Sequence, residues 1–315
     1  MLRGLKEHVA VRGKNNAAHP IADLAAIVTV TDDGGSSGRL RREYRILPPG
    51  DIRNCLVALS QDEHSLGTLF QYRFPAGGAL GGHSFGNLFL MALTNTTGDF
   101  PAAVQASARV LAIRGRIFPS TAQNVTLEAY LENGRVVAGE TKISRSRRAI
   151  ARIRLVPRKV RPIPAAVEAI RQADLILVGP GSLYTSLIPN LLVEEITDVI
   201  AHSRATRVYI SNLMTQPGET QHYSVADHIQ AIYAHTKRPL FDFAVINHAP
   251  VSPKLLRRYA AQGAAPVAPS FEELDRMGLR YVTGDFLDQS NVVRHHQGRL
   301  ADLLLNRFIK RRPAR

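Results

Sequence analysis

The chain has 315 residues, a net charge of +14, 45% hydrophobic and 21% charged residues; this is ordinary globular usage and excludes bulk disorder. The apolar runs Leu175–Val178 and Leu303–Leu305 are far short of the roughly 18–20 residues of a membrane span, and Met1–Glu7 lacks a signal-peptide core. A single cysteine, Cys55, excludes an intrachain disulfide and fits a reducing compartment, so a cytoplasmic protein is expected.

The first expected strand is Ala26–Val30, followed by Thr31-Asp32-Asp33-Gly34-Gly35-Ser36-Ser37-Gly38. Gly34 and Gly35 let backbone N–H groups approach an anion, and Ser36 and Ser37 donate to it. The adjacent carboxylates oppose a bare phosphate. Asp32 and Asp33 suit Mg²⁺ bridging to phosphate, or donors on a ribose or base; an Asx-turn is the plain alternative. Pro48–Asn54 opens a helix with Asp51 as its expected N-cap. Arg53 and Asn54 in the first turn are then able to reach a ligand, and Cys55 reads as core packing.

Gly82-His83-Ser84-Phe85-Gly86 matches the G-x-S-x-G string of a nucleophile elbow, but Pro75–Gly81 before it cannot be an interior strand. The string reads better as a helix N-terminus presenting His83, Ser84 and Asn87 to a ligand. His83 is either a general acid–base or a hydrogen-bonded loop histidine.

Residues 116–160 break the rhythm. Val125–Leu131 alternates with period two and leads through Glu132-Asn133-Gly134-Arg135 into Val136–Thr141, which predicts an antiparallel hairpin insertion. Arg145, Arg147, Arg148, Arg152, Arg154, Arg158, Lys159 and Arg161 follow with no acid among them, and Arg307, Lys310, Arg311, Arg312 and Arg315 add a basic tail. Such clusters attract phosphates. Sparse aromatics, no zinc-finger spacing and no RNP motif favour a solvated basic face, with nucleic-acid binding as the alternative.

Asp174–Val178, Arg207–Ile210 and Phe243–Ile246 are near-continuous apolar runs alternating with helical patterns at Pro164–Ala173, Pro189–Ser203, Ser224–His235 and Pro253–Gln262. This predicts an α/β, doubly wound, mostly parallel sheet. Gly179-Pro180-Gly181-Ser182-Leu183-Tyr184-Thr185-Ser186 follows a strand. Tyr184 stands where a dinucleotide fingerprint needs glycine, and no Walker lysine is present. Backbone N–H groups at Gly179 and Gly181, with the hydroxyls of Ser182, Thr185 and Ser186, still make an anion site near a helix N-terminus. Asn212 and Thr215, in Asn212–Thr220, suit sugar hydroxyls, an N-acetyl group or a base edge; a Pro-Gly turn is the alternative. In Arg294-His295-His296 the adjacent histidines share no face, so Arg294 is the better candidate, as a phosphate clamp. Ligands of open α/β sheets bind at the carboxyl ends of strands, where these loops fall. A phosphorylated small molecule, of nucleotide-sugar type, is the expected partner.

Thr29–Arg41, Leu47–Leu56, Gly82–Asn87, Gly179–Tyr184 and Met214–Thr220 resemble the gluconeogenesis-factor (YvcK-like) family, grouped with the phospholactate transferase (CofD-like) proteins. The likeness runs from Leu2 over nearly the whole chain. It implies a single Rossmann-like three-layer α/β/α domain over residues 1–315 and a cytoplasmic bacterial protein. It also implies binding of UDP-sugars such as UDP-N-acetylglucosamine without a required cofactor, and a role linking carbon metabolism to cell-wall synthesis and cell shape. In the transferase branch the acidic loop serves a deazaflavin acceptor and a metal, and guanosine diphosphate leaves. Phosphotransfer from a nucleoside diphosphate donor is therefore the alternative activity, with Asp32, Asp33 and His83 as catalytic candidates. The resemblance also points to Tyr259 and Arg294 as nucleotide-sugar contacts. It leaves the oligomeric state open, a homo-oligomer included. Family members usually begin with a strand and a Gly-Gly-Gly-Thr-Gly loop, which this sequence starts beyond; a late start site is the expected reason, with a real loss in a damaged paralogue as the alternative. Val11–Pro20 reads as a longer polar connection than the family needs.

Overall fold

The computed structural model describes residues 1–10 and 20–309; the connection at 11–19 and the basic residues Lys310, Arg311, Arg312 and Arg315 lie outside the described residues. The chain runs α1 (Leu2–Lys6), β1 (Ala25–Val28), α2 (Gly35–Tyr44), α3 (Gly50–Leu59), α4 (Leu66–Gln71), α5 (Phe85–Thr97), α6 (Phe100–Val110) and β2 (Arg116–Pro119). Next come β3 (Thr126–Leu131), β4 (Val136–Ala138), α7 (Glu140–Ser146) and β5 (Ile150–Val156). Then follow α8 (Pro164–Arg171), β6 (Leu175–Val178), a π-turn (Leu183–Leu187), α9 (Ile188–Leu191), α10 (Ile196–His202), β7 (Thr206–Ile210), α11 (Val225–Thr236) and β8 (Phe243–Asn247). The chain closes with α12 (Pro253–Ala260), α13 (Phe271–Arg276), β9 (Arg280–Gly284), β10 (Leu287–Asp288), β11 (Arg294–His295) and α14 (Gln297–Phe308).

The expected α/β architecture is present. Strands β6-β7-β8-β9 form a parallel sheet in sequence order, and β1 pairs parallel with β2. Side chains alternate across the pleat. Val208, Ile210 and Val245 pack with Leu5 of α1 and Leu300 and Leu304 of α14. Tyr209, Ala244 and Ile246 face the opposite way, against Ile188, Ile200, Ile229, Ile232 and Leu274. Helices therefore cover both faces, which is the three-layer α/β/α arrangement. Among the described residues no strand pairing joins the β1–β2 pair to the four-stranded sheet. Among the described residues the edge strand β6 pairs only with β7, and its residues Leu175, Ile176, Leu177 and Val178 are all half-buried.

The antiparallel sheet has the order β4-β3-β5. Its hairpin closes where the Asn-Gly pair predicts, with Gly134 at φ +82° and the Leu131 amide bonded to the Arg135 carbonyl. Leu127, Ala129, Ile153 and Leu155 enter the core. Glu128, Arg154, Tyr130 and Arg152 take the outer face, where Arg154 pairs with Glu128 and the Arg152 guanidinium lies 4.2 Å from the Tyr130 ring centre.

Three local expectations differ. β2 lies within the span expected for the insertion but pairs parallel with β1, so the antiparallel strands occupy 126–156. The run Val136–Thr141 is not one strand: it stops at Ala138, Gly139 turns the chain at φ +99°, and Glu140 begins α7. The single helix expected over Pro189–Ser203 is broken into α9 and α10, because the Glu194 amide leaves the helical ladder to bond the Val160 carbonyl (2.9 Å) and Glu195 restarts the helix at φ +64°. No helix among the described residues is long and apolar enough to cross a membrane.

Candidate functional site

The Asp32 loop leaves β1 and the Gly179 loop leaves β6, so both stand at strand carboxyl ends. Between them lies a cavity of ≈ 210 Å³ lined by Asp32, Asp51, Glu140, Ser182, Thr185 and Ser186. An open hollow of ≈ 510 Å³ between α8 and α10, bounded by Arg171, Asp198, His202 and Arg204, is larger. Its residues lead into the amino ends of β6 and β7, away from every loop with ligand-binding character.

Asp32 and Asp33 part company. Asp32 faces the cavity, and its Oδ1 accepts from the Gly34 amide (2.8 Å) in an Asx-turn. Asp33 turns to α7 and accepts from the Thr141 amide (2.8 Å). Gly139 lies so close to the Asp33 carboxylate that a side chain there would collide with it. Asp33 thus docks α7, and that docking delivers Glu140 to the cavity.

Asp51 is not the N-cap expected of it. The cap is Pro49 and Gly50 opens α3, because Gly50 packs where a Cβ would meet Ser37 Oγ at 2.6 Å and Asp32 Oδ2 at 2.7 Å. Asp51 is left in the first turn, lining the cavity. Burial, then the neighbouring Asp32 charge, pushes its carboxyl up to about 6. The same two causes push Glu140 up to about 7. Glu140 Oε1 bonds Ser144 Oγ (3.2 Å), and Ser144 also reaches Glu219 Oε1 (3.3 Å), which Thr185 Oγ1 approaches at 3.4 Å. Glu219 is 6% exposed, its Oε2 has no partner among the described residues, and burial raises its pKa.

The Gly179 loop is held from behind. Gly179 has φ +100° with the Ile210 carbonyl close against it, so only glycine fits there. The Asn212 side chain accepts from the Gly181 amide (3.2 Å) and donates to the Gly181 carbonyl (2.9 Å), while Gln216 Nε2 donates to Ser182 Oγ (2.8 Å). Asn212 therefore shapes the loop. Thr215 is 4% exposed and its hydroxyl accepts from the Ala265 amide, which makes it a tie between segments.

The third loop joins the first. Ser36 Oγ lies 3.0 Å from His83 Nδ1, and Asn87 Nδ2 lies 3.4 Å from Ser37 Oγ. Ser84 caps α5 by accepting from the Asn87 amide (3.3 Å), not as an elbow nucleophile. Arg53 donates to Ser84 Oγ (2.6 Å), Asn87 Oδ1 (3.2 Å) and Asn54 Oδ1 (2.8 Å). Burial lowers the His83 pKa. Cys55 is half-buried on α3 with its thiol pushed up to about 12, which makes it an inert packing residue. Gly35 begins α2 at φ +44°.

Tyr259 and Arg294 are not cavity-lining. The Tyr259 hydroxyl accepts from the Val293 amide (3.1 Å), and its ring packs beside Leu213 and Met214. Arg294 is exposed on β11, paired with Asp288. His296 caps α14, and His295 is pushed to about 4 by burial. Among the described residues no group of His, Cys, Asp and Glu is arranged to hold a metal ion by itself. Sequence reasoning missed the site roles of Asp51 and Glu140. A helix-start acid has a cheaper explanation, and Glu140 was hidden in an apparent strand.

The chain matches the family model described as 2-phospho-L-lactate transferase CofD over residues 1–287. It is 50% identical over 308 residues to a putative gluconeogenesis factor of Nostoc sp., covering 97% of this chain but 65% of that protein. It is 46% identical to the gluconeogenesis factor of Bacillus subtilis, covering 97% of this chain and 93% of that protein. A crystal structure of a UPF0052-family protein from Bacillus halodurans superposes with a TM-score of 0.89 at 42% identity, covering 96% of this chain and 94% of that one. With those strand-end loops, that match over 287 residues and those relatives, the chain belongs to the CofD family, among its members named gluconeogenesis factor.

Proposed function

We propose that the chain is a regulatory factor that binds a nucleotide sugar of the UDP-N-acetylglucosamine type across the Asp32 and Gly179 loops, linking carbon metabolism to cell-wall synthesis and cell shape. The observation that carries this is one cavity with carboxylates on one wall and hydroxyls on the other. The carboxylates accept from sugar or ribose hydroxyls. Ser182, Thr185 and the backbone of the Gly179 loop donate to phosphate oxygens. At ≈ 210 Å³ the cavity is smaller than the roughly 300–1,000 Å³ of pockets that engulf a ligand. It takes one portion of a nucleotide sugar, and the remainder lies outside it. Titration calorimetry with UDP-N-acetylglucosamine should give saturable heat. Ser182→Ala and Thr185→Ala should each weaken binding about three- to tenfold, the worth of one neutral hydrogen bond. No heat would sink the reading.

The second reading is phosphotransfer from a nucleoside diphosphate donor, favoured by Asp51 and Glu140, whose pKa values near neutrality suit proton transfer. A Mg²⁺ ion arriving with such a donor would rest on Asp32, because Asp33 is committed to α7. Mg²⁺-dependent release of a nucleoside phosphate, lost in Asp51→Asn, distinguishes it.

A further inference from the structure

Beside the acidic cavity the charge changes sign. Three arginines from separate segments meet on the turn before α5. Arg39 of α2 donates to the Gly81 carbonyl (2.7 Å), Arg73 donates to the Gly82 carbonyl (2.7 Å), and Arg53 of α3 donates to Ser84 Oγ (2.6 Å). Arg73 is the strongest neighbouring charge acting on Arg53; on His83, Arg39 and Arg73 act in one direction and Glu43 in the other. Arg73 is exposed, while Arg39 and Arg53 are half-buried. Among the described residues none of the three makes an ion pair with a carboxylate. Arg39 and Arg73 each use one terminal nitrogen on a carbonyl, which leaves most of both planar forks available.

Like charges so gathered repel one another, and the carboxylates felt by Arg53, Asp51 and Asp32, belong to the neighbouring cavity. A multiply charged oxyanion relieves that repulsion and matches guanidinium geometry. The amino end of the 13-residue helix α5 adds positive potential on the same side.

We infer that Arg39, Arg53 and Arg73, gathered on the 81–84 turn, form a subsite for a phosphoryl group. None of the three lines the cavity shared by the Asp32 and Gly179 loops. The assignment does not depend on the nucleotide-sugar reading. The phosphoryl group belongs either to the same ligand as occupies the cavity or to a second phosphorylated metabolite.

Equilibrium dialysis of labelled inorganic phosphate against the full chain in physiological salt tests it. Saturable binding is expected, with a component that is weakened at least tenfold in Arg73→Gln and in Arg39→Gln and kept in Ser182→Ala. Arg135→Gln, which removes the same charge from the exposed hairpin turn, should leave it unchanged. Circular dichroism melts confirm that each variant is folded; Arg73 is exposed and its replacement is the safer of the two. Absence of saturable binding, binding unchanged in Arg73→Gln and Arg39→Gln, or an equal loss in Arg135→Gln overturns the assignment. Competition by UDP-N-acetylglucosamine supports the subsite as the seat of that ligand's phosphates, and additive binding supports it as the seat of a second ligand. If phosphate binds and no nucleotide sugar does, the subsite stands while the proposed function falls.

Discussion

Asp51 and Glu140 face Asp32 with their carboxyls raised, first by burial and then by its charge. An acid with a raised folded pKa contributes stability that is complete below its unfolded value and is lost as pH rises through its folded value. For Asp51 that loss runs from about 4 up to about 6, and for Glu140 up to about 7. At pH 8 both are ionised at a cost. Asp51→Asn should therefore be more stable than wild type at pH 8, by about 1–2 kcal/mol after discounting for relaxation and solvent screening. The gap should close toward pH 4. Urea unfolding at both pH values decides it, and an equal gap at each would contradict the placement. These roles were hard to read in the sequence because they arise from tertiary proximity. Asp32 and Asp33 were legible as a functional pair by type, but their division of labour follows from Thr141, more than 100 residues away.

At the scale of elements, the insertion is attached by groups whose protonation matters. His235 on α11 donates from Nδ1 to the Ala231 carbonyl (2.7 Å) and accepts at Nε2 from the Ile153 amide of β5 (2.9 Å). Only neutral imidazole can do both. Burial holds its pKa below the ordinary value, with Lys237 acting in the same direction. Tyr184 packs on the ring from the π-turn at 5.8 Å, and Glu132 faces Tyr184 from the hairpin. The contact is complete above the ordinary histidine pKa and is lost as pH falls below it toward the lowered folded value. Hydrogen exchange in 150–156, corrected for intrinsic rate, should rise between pH 7 and pH 5 while β7 and β8 stay protected. His235→Gln keeps an acceptor that does not titrate and should flatten the response. An unchanged response in that variant would refute the mechanism. The hairpin itself was legible because its turn chemistry is local. α7 was not, since its start depends on Gly139 against Asp33, and the break between α9 and α10 depends on Val160.

For the whole molecule, the apolar runs gave away β6, β7 and β8 and hence the parallel sheet. β9 escaped, because Arg280-Tyr281-Val282-Thr283-Gly284 is a half-exposed edge with no continuous apolar signature. The division of the strands between two sheets was not legible, since strand order is a property of pairing and not of any one segment. That division bears on how the cleft works. Asp32 and Asp51 stand on the β1 side, Ser182 and Thr185 on the β6 side, with no strand ladder between the two among the described residues. The helix α7 reaches both: Asp33 grips its first turn, Ser144 meets Glu219, and Arg147 just after it packs against Gly218. In mechanical terms α7 is a tie rod, and the gap it spans has a stiffness set by side chains that no ligand need touch. Cutting the rod with Ser144→Ala should leave the binding groups in place yet weaken binding through a larger ordering entropy on closure. A calorimetric loss confined to the entropy would mark a slackened frame rather than a missing contact.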